Sequence, residues 1–555
     1  MFFIKKKLPR AHAPGEPLLY PDHKRPVTRR ELLGAGLASA PAVVLAPAWL
    51  AAALKPNKAD AALSADIQAL LAKGQCDVST SASGIPVICF DCAGGANLIG
   101  SEVLVGQVGS SGKQGSQSQA NFLTTAGYGK MGVPGNMVPS AAGFVDSTFG
   151  LLWHSDGALL RGMKTKATTA ATAAGTNGAV ICAMSQNDTG TNPHNPMYGL
   201  AMIGSRGTLL NMVGNVSSVS GGNSMSVPYM INPLFQPTTI ARPADDVALV
   251  STGGAPADPV SVAVLESQTR ISGGNALYDP SNLAGTEFTG MLAPPTSTQS
   301  GLTLYPGGTS ALQAQDVALR SQVRCAYAQA AYTAATFGNP ASLDPTQDPL
   351  IIGGASPIFT ASDFTDSDIQ KTASVMKLVV NGYAAAGTIT MSGCDYHDST
   401  RATGETRNFK IGQMIGACLE YAQRVGSPLM IYVFSDGSLS SSSMVDTSVA
   451  GRDKLAWQGD NQTVASTFFL VYSPKGRPQL LNGVASQQIG WFTADGAVDP
   501  TSSPAANSVT QIPETMLLNY MALLGQAQNF SITFPQQGLG STAVQQSMTA
   551  FAPIV

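Results

Sequence analysis

Short apolar runs that stop abruptly at glycine or at polar residues mark the strands of this chain. Residues 85–90 and 179–184 are two such runs, and the pattern predicts buried strands followed by turns. The first stops at Asp91 and opens into Cys92-Ala-Gly-Gly-Ala-Asn97, while the second leads into a polar segment that carries His194. Farther along, apolar positions recur at helical spacing over 311–337, 368–386, 408–425 and 513–524. The last three of these alternate with strand candidates at 388–391, 429–434 and 467–472. Parallel strands need a crossover, usually a helix, and a sheet made of them is buried on both faces. The alternation therefore predicts an α/β fold, a three-layer α/β/α sandwich around a largely parallel central sheet. Residues 211–309 are dominated by Ser, Gly, Pro and Asn with short β-prone pieces, and are expected to form a loop-rich insertion. The stretch 100–143, rich in Gly, Ser and Gln, is expected to be a long surface excursion.

The first residues carry a different pattern. A basic stretch leads into Thr28-Arg29-Arg30-Glu31-Leu32-Leu33, and residues 32–54 follow without a charge. Paired arginines before an apolar run are the mark of twin-arginine export. Residues 1–61 are thus expected to be a signal peptide, with the small residues Ala59-Asp60-Ala61 offering a cleavage site and residues 62–555 forming the exported domain. The alternative is an uncleaved anchor, since about 20 apolar residues can span a bilayer. On the first reading no permanent membrane span remains, and the twin-arginine translocase is the partner during export. A periplasmic or extracellular destination follows.

Charged residues make up only 12% of the chain, about half the usual share, which suits an extracytoplasmic surface dressed in Ser, Thr, Asn, Gln and Gly. The net charge is −3 with no basic block outside the signal, so a phosphate-neutralising nucleic-acid surface is excluded. There are seven cysteines, an odd number, so at least one thiol stays unpaired within the chain. Cys89-Phe-Asp-Cys92 lacks the helix-opening context that activates a redox pair, and buried thiols or one structural disulfide are expected instead.

Ligands of open parallel sheets bind beyond the carboxyl ends of the strands, where loops converge. Three predicted strands end there in acidic or histidine-bearing turns. One ends at Asp91, one at Gly393-Cys-Asp395-Tyr-His397-Asp398, and one at Ser435-Asp436-Gly437. Carboxylates and an imidazole gathered at one sheet edge can chelate a divalent metal. Equally, a loop aspartate can simply cap the next turn, as Asp436 before a glycine does in many proteins.

Gly393-Cys-Asp-Tyr-His397 resembles the Gly-aromatic-Asp-Thr-His motif of the exported bacterial domain-of-unknown-function family fifteen-oh-one, which belongs with the alkaline phosphatase and sulfatase superfamily. Asp91-Cys-Ala-Gly-Gly-Ala-Asn97 is similar to its early Gly-Gly-Ala-Asp-Gly-Leu-Asn turn, and Asp188-Thr-Gly-Thr-Asn-Pro-His194-Asn to its Arg-Ser-His-Phe-Asp segment. Val433-Phe-Ser-Asp-Gly437 stands where the family has Glu-Phe-Gly-Arg, and Gly451-Arg-Asp-Lys454 where it has Gly-Thr/Arg-Asp-His. The resemblance implies an alkaline phosphatase-like fold and a metal site drawn from Asp395, His397 and Asp436, supported by Asp91, His194 and Asp453. Lys454 replaces the family's histidine, and an ammonium cannot ligate while it carries its proton. Superfamily hydrolases hold two divalent ions with about six Asp and His ligands, whereas the exported region has only His154, His194 and His397. One divalent metal (zinc, calcium or magnesium), or none, is therefore expected. The expected function is a degenerate, non-catalytic binding or assembly component of the cell envelope or surface, with a protein partner or self-association. The alternative is a metal-dependent phosphate- or sulfate-ester hydrolase, for which no nucleophile stands out among Ser101, Thr189 and Thr191.

Overall fold

The structure is a computed structural model and describes residues 63–72, 82–107, 122–140, 143–185, 192–250, 259–273, most of 323–337, 339–502 and 504–555. The expected signal at 1–61 lies outside the described residues. Most of the predicted helix at 311–337 and much of the predicted insertion do so too.

Eight strands form one sheet: β1 (Val87–Cys92), β2 (Thr176–Cys182), β3 (Leu210–Gly214), β4 (Thr238–Thr239), β5 (Ala384–Met391), β6 (Leu429–Ser435), β9 (Ser466–Tyr472) and β10 (Gln488–Ile489). Between β6 and β9, strands β7 (Leu439–Asp446) and β8 (Lys454–Asp460) make a separate antiparallel hairpin. The order across the sheet is β10-β2-β9-β6-β1-β5-β3-β4. Strand β9 runs antiparallel to both its neighbours, and the other neighbouring pairs are parallel. The fold is thus α/β, built on a mostly parallel mixed sheet.

Side-chain alternation along the strands divides the interior in two. Ile88 and Phe90 of β1, Ile389 of β5 and Val433 of β6 point to one face, where helices α1 (Ala158–Lys166), α3 (Ser367–Val380) and α4 (Ala402–Val425) cover them. Val87 and Cys89, Ala386 and Met430 point to the other, beneath α2 (Met197–Ile203) and α5 (Gln511–Leu523). Helices therefore cover both faces, and every residue of β1 is buried.

The predicted helix at 368–386 runs past its true end. The helix stops at Val380, the chain turns at Asn381-Gly382, and Ala384–Ala386 begin strand β5. Alanine favours helix intrinsically, but pairing between β1 and β3 overrides that weak preference here. Leu210–Gly214, in the segment read as loop-rich, is a strand of the main sheet. Among the described residues no helix is long and apolar enough to cross a membrane. Cys89, Cys92, Cys394 and Cys418 are buried thiols, and Cys325 is disulfide-bonded. Burial pushes the Cys89 and Cys418 thiols far up, away from the reactive thiolate.

Candidate functional site

The central strands β1, β5 and β6 end side by side, in register at Cys92, Met391 and Ser435. The turn after β1 threads between the loops that follow the other two strands. The Gly94 amide donates to Asp436 Oδ1 at 2.8 Å, and a side chain on Gly94 would come within 2.8 Å of Asp395 Cβ. With φ at +114°, that position requires glycine. The loop after β5 is tied down by Cys394, whose amide donates to the Ala93 carbonyl at 3.1 Å.

Above these ties, His397 Nε2 lies 2.7 Å from Asp395 Oδ1 and 4.0 Å from Asp460 Oδ1. Ligand atoms of Asp395, His397 and Asp460 all fall within 4.8 Å of one another, and all three residues are exposed. Two carboxylates and one imidazole suit a divalent ion that keeps water in its remaining positions. Asp460, the last residue of hairpin strand β8, was not foreseen. Its contribution depends on the hairpin folding back to the sheet rim, which no local pattern announces.

None of the other foreseen ligands joins this group. Asp436 is buried and adjoins Asp395 across the Gly94 turn, but its backbone is equally engaged, since its carbonyl accepts from Ser185 Oγ at 2.7 Å and Asn192 Nδ2 at 3.0 Å. Asp91 is fully buried and saturated. One of its oxygens accepts from the Asn223 amide (2.7 Å), the Ser224 amide (3.0 Å) and Thr390 Oγ1 (3.2 Å), the other from Ser224 Oγ (3.1 Å). Burial pushes its carboxyl upward against the pull of those donors. Its work is to lash the loop after β3 to β1 and β5.

His194 is buried, stacks on Phe434 with ring centroids 6.1 Å apart, and neither ring nitrogen meets a hydrogen-bond partner among the described residues. Burial lowers its pKa to about 4, so the ring is neutral. Asp453 sits at the opposite end of β8 from Asp460, roughly 20 Å away at ~3.3 Å per strand residue. Lys454 likewise sits at the far end of β8 from Asp460. Its Nζ donates to Glu405 Oε1 at 2.8 Å and to the Asp156 carbonyl at 2.7 Å, within a buried network that includes Arg401 and Arg161. Ser101 is buried and its hydroxyl has no partner among the described residues, and Thr189 and Thr191 lie outside them.

The arrangement defines an α/β protein that has, among the described residues, one compact group of ligating side chains at the carboxyl rim of its sheet. No family model, curated protein or solved structure matches the chain.

Proposed function

We propose that this chain is an exported, non-catalytic descendant of the alkaline phosphatase-like fold, acting as a binding or assembly component at the cell envelope or surface. The observation that carries the reading is the dispersal of the ligand set. Asp91 spends its lone pairs on protein donors, and His194 and Asp453 stand apart from Asp395 and His397. What is left among the described residues is a single exposed group of three, Asp395, His397 and Asp460, fit for one divalent ion. Hydrolysis of the superfamily type needs two ions that clamp the transferring group and activate a nucleophile. An exposed single site instead suits cation-assisted attachment. The exposed apolar side chains on the hairpin, Met444 at 65% and Val449 at 98%, favour a protein partner or self-association. The twin-arginine signal and the disulfide at Cys325 support an oxidising destination outside the cytoplasm.

Calorimetric titration of the purified chain with zinc, calcium and magnesium, beside a screen of aryl phosphates and aryl sulfates, tests this reading. One divalent ion should bind, His397→Ala should abolish its binding, and no ester should turn over. Ester turnover that disappears in Asp395→Asn would replace the proposal with the hydrolase alternative.

A further inference from the structure

A second site lies at the far end of the hairpin, away from Asp395 and His397. There an open cleft of about 670 Å³ is lined by Met137, Phe144, Asp156, Ser448, Arg452 and Asp453, among others. Its volume falls within the ~300–1,000 Å³ range of small-ligand sites.

The walls of this cleft are held in place from below. Buried His154 touches three lining residues at once: its Nε2 meets the Met137 carbonyl at 2.9 Å, its Nδ1 accepts the Asp156 amide at 3.2 Å, and its ring stacks on Phe144 at 5.4 Å. Because Nδ1 accepts, the proton sits on Nε2, and the buried ring is neutral, its pKa lowered to about 4 by burial. Asp156 is gripped by Arg452, whose Nε lies 3.0 Å from Oδ2, and by Lys454 at 3.3 Å. Phe144, Arg452 and Asp453 all have φ between 55° and 61°, a conformation that side chains other than glycine rarely adopt. Strain of this kind persists where the surroundings over-determine a site, and it clusters at ligand clamps.

The chemistry of the lining selects the ligand. Arg452 and Lys454 are both spent on Asp156, so the cleft has no spare cation to draw an anionic ligand. Asp453 is exposed, and its carboxylate has no side-chain partner among the described residues. Phe144 and Met137 supply apolar surface beside the Ser448 hydroxyl. A sugar ring has both features to match: C–H faces that lie on an aromatic surface, and vicinal hydroxyls that donate to a carboxylate while accepting from a guanidinium. We propose that this cleft binds a neutral carbohydrate chain. The site uses none of the residues at the sheet rim, so it stands or falls separately from cation binding there.

Titration of the full chain with cellohexaose, maltohexaose and chitohexaose, with a heparin-derived hexasaccharide as the charged control, tests the assignment. At least one neutral probe should bind saturably and more tightly than the sulfated one. Phe144→Leu and Asp453→Ala should each weaken it at least tenfold at an unchanged melting temperature. Should either variant fold poorly, saturation-transfer NMR on the unmodified chain still decides the matter, because sugar C–H protons must receive magnetisation from the aromatic ring. The proposal is overturned if no neutral probe binds, if the sulfated probe binds best, or if both folded variants bind as the parent does.

Discussion

Asp246, on the short helix Pro243–Ala248, is fully buried with neither carboxyl oxygen in a well-formed hydrogen bond among the described residues. Desolvation raises its pKa to about 8; Asp245 and Asp344 add to the rise, while Ser374 and Lys377 of α3 oppose it. The folded protein therefore holds a proton between pH 4 and 8 that the unfolded chain has released. Stability should fall as pH rises through that window, by at most roughly 1.4 kcal/mol per unit, and level off above it. Denaturation of the parent and Asp246→Asn across pH 5–9 checks this, and the variant should lose that part of the slope. Asp91 makes a sharper contrast. Asp91→Ala strands four donors and should cost about 3 kcal/mol. Asp91→Asn should be nearly neutral, because its carbonyl can take the same donors while its amide gives to Ser224 Oγ. Cation affinity should be unchanged in Asp91→Asn, whereas a metal-ligand role would make it fall.

Helices α1 and α4 cross so closely that glycines form the contact. A side chain on Gly412 would collide with the Leu159 carbonyl, and one on Gly416 would lie 2.5 Å from that of Met163. Gly412→Ala should therefore destabilise the protein by about 3 kcal/mol, seen as a lowered melting temperature, despite alanine's better helix propensity. Such contacts also set what a reader of the sequence can see. Helices α3, α4 and α5 were legible because their apolar positions repeat with the helical period, and strands β1, β2, β5, β6 and β9 because a strand buried on both faces is a short apolar run cut off by turn residues. The start of α4 was not. It is predicted from residue 408 but begins at Ala402, where the carboxylate of distant Asp446 accepts from the Arg401 and Ala402 amides at 2.7 and 3.0 Å. The hairpin was missed for a similar reason: β7 reads Leu-Ser-Ser-Ser-Ser-Met-Val-Asp, with only Leu439 buried, and so carries no periodic signal.

Across the whole molecule, one buried cluster of charges joins the hairpin to two helices and a loop. Lys454 from β8, Arg401 beside α4, Glu405 within it, Arg161 from α1 and Asp156 before α1 meet there, with Lys454 and Glu405 each about 2% exposed or less. Lys454→Met leaves Glu405 and Asp156 short of a cation and should cost about 3 kcal/mol in a denaturant titration. The candidate ligands were legible only in part for the same physical reason. Asp395 and His397 share one short loop, so their meeting is local. Asp460, by contrast, joins them only because the hairpin folds back, and Asp91 is diverted by donors from a loop more than a hundred residues away.

Strand β1 pairs Val87 with Ala386 on one side and with Met430 on the other, and both partners follow it by about 300 residues or more. Neither partner exists until that intervening chain has been made. Long-range pairings of this kind close slowly, because a large loop entropy is lost before any contact repays it. A pore that threads an extended chain would have to pass a nascent strand with nothing to pair with. On the proposed twin-arginine route, which carries finished domains, the sheet would close first, and the paired arginines and the order of the strands would answer to one constraint.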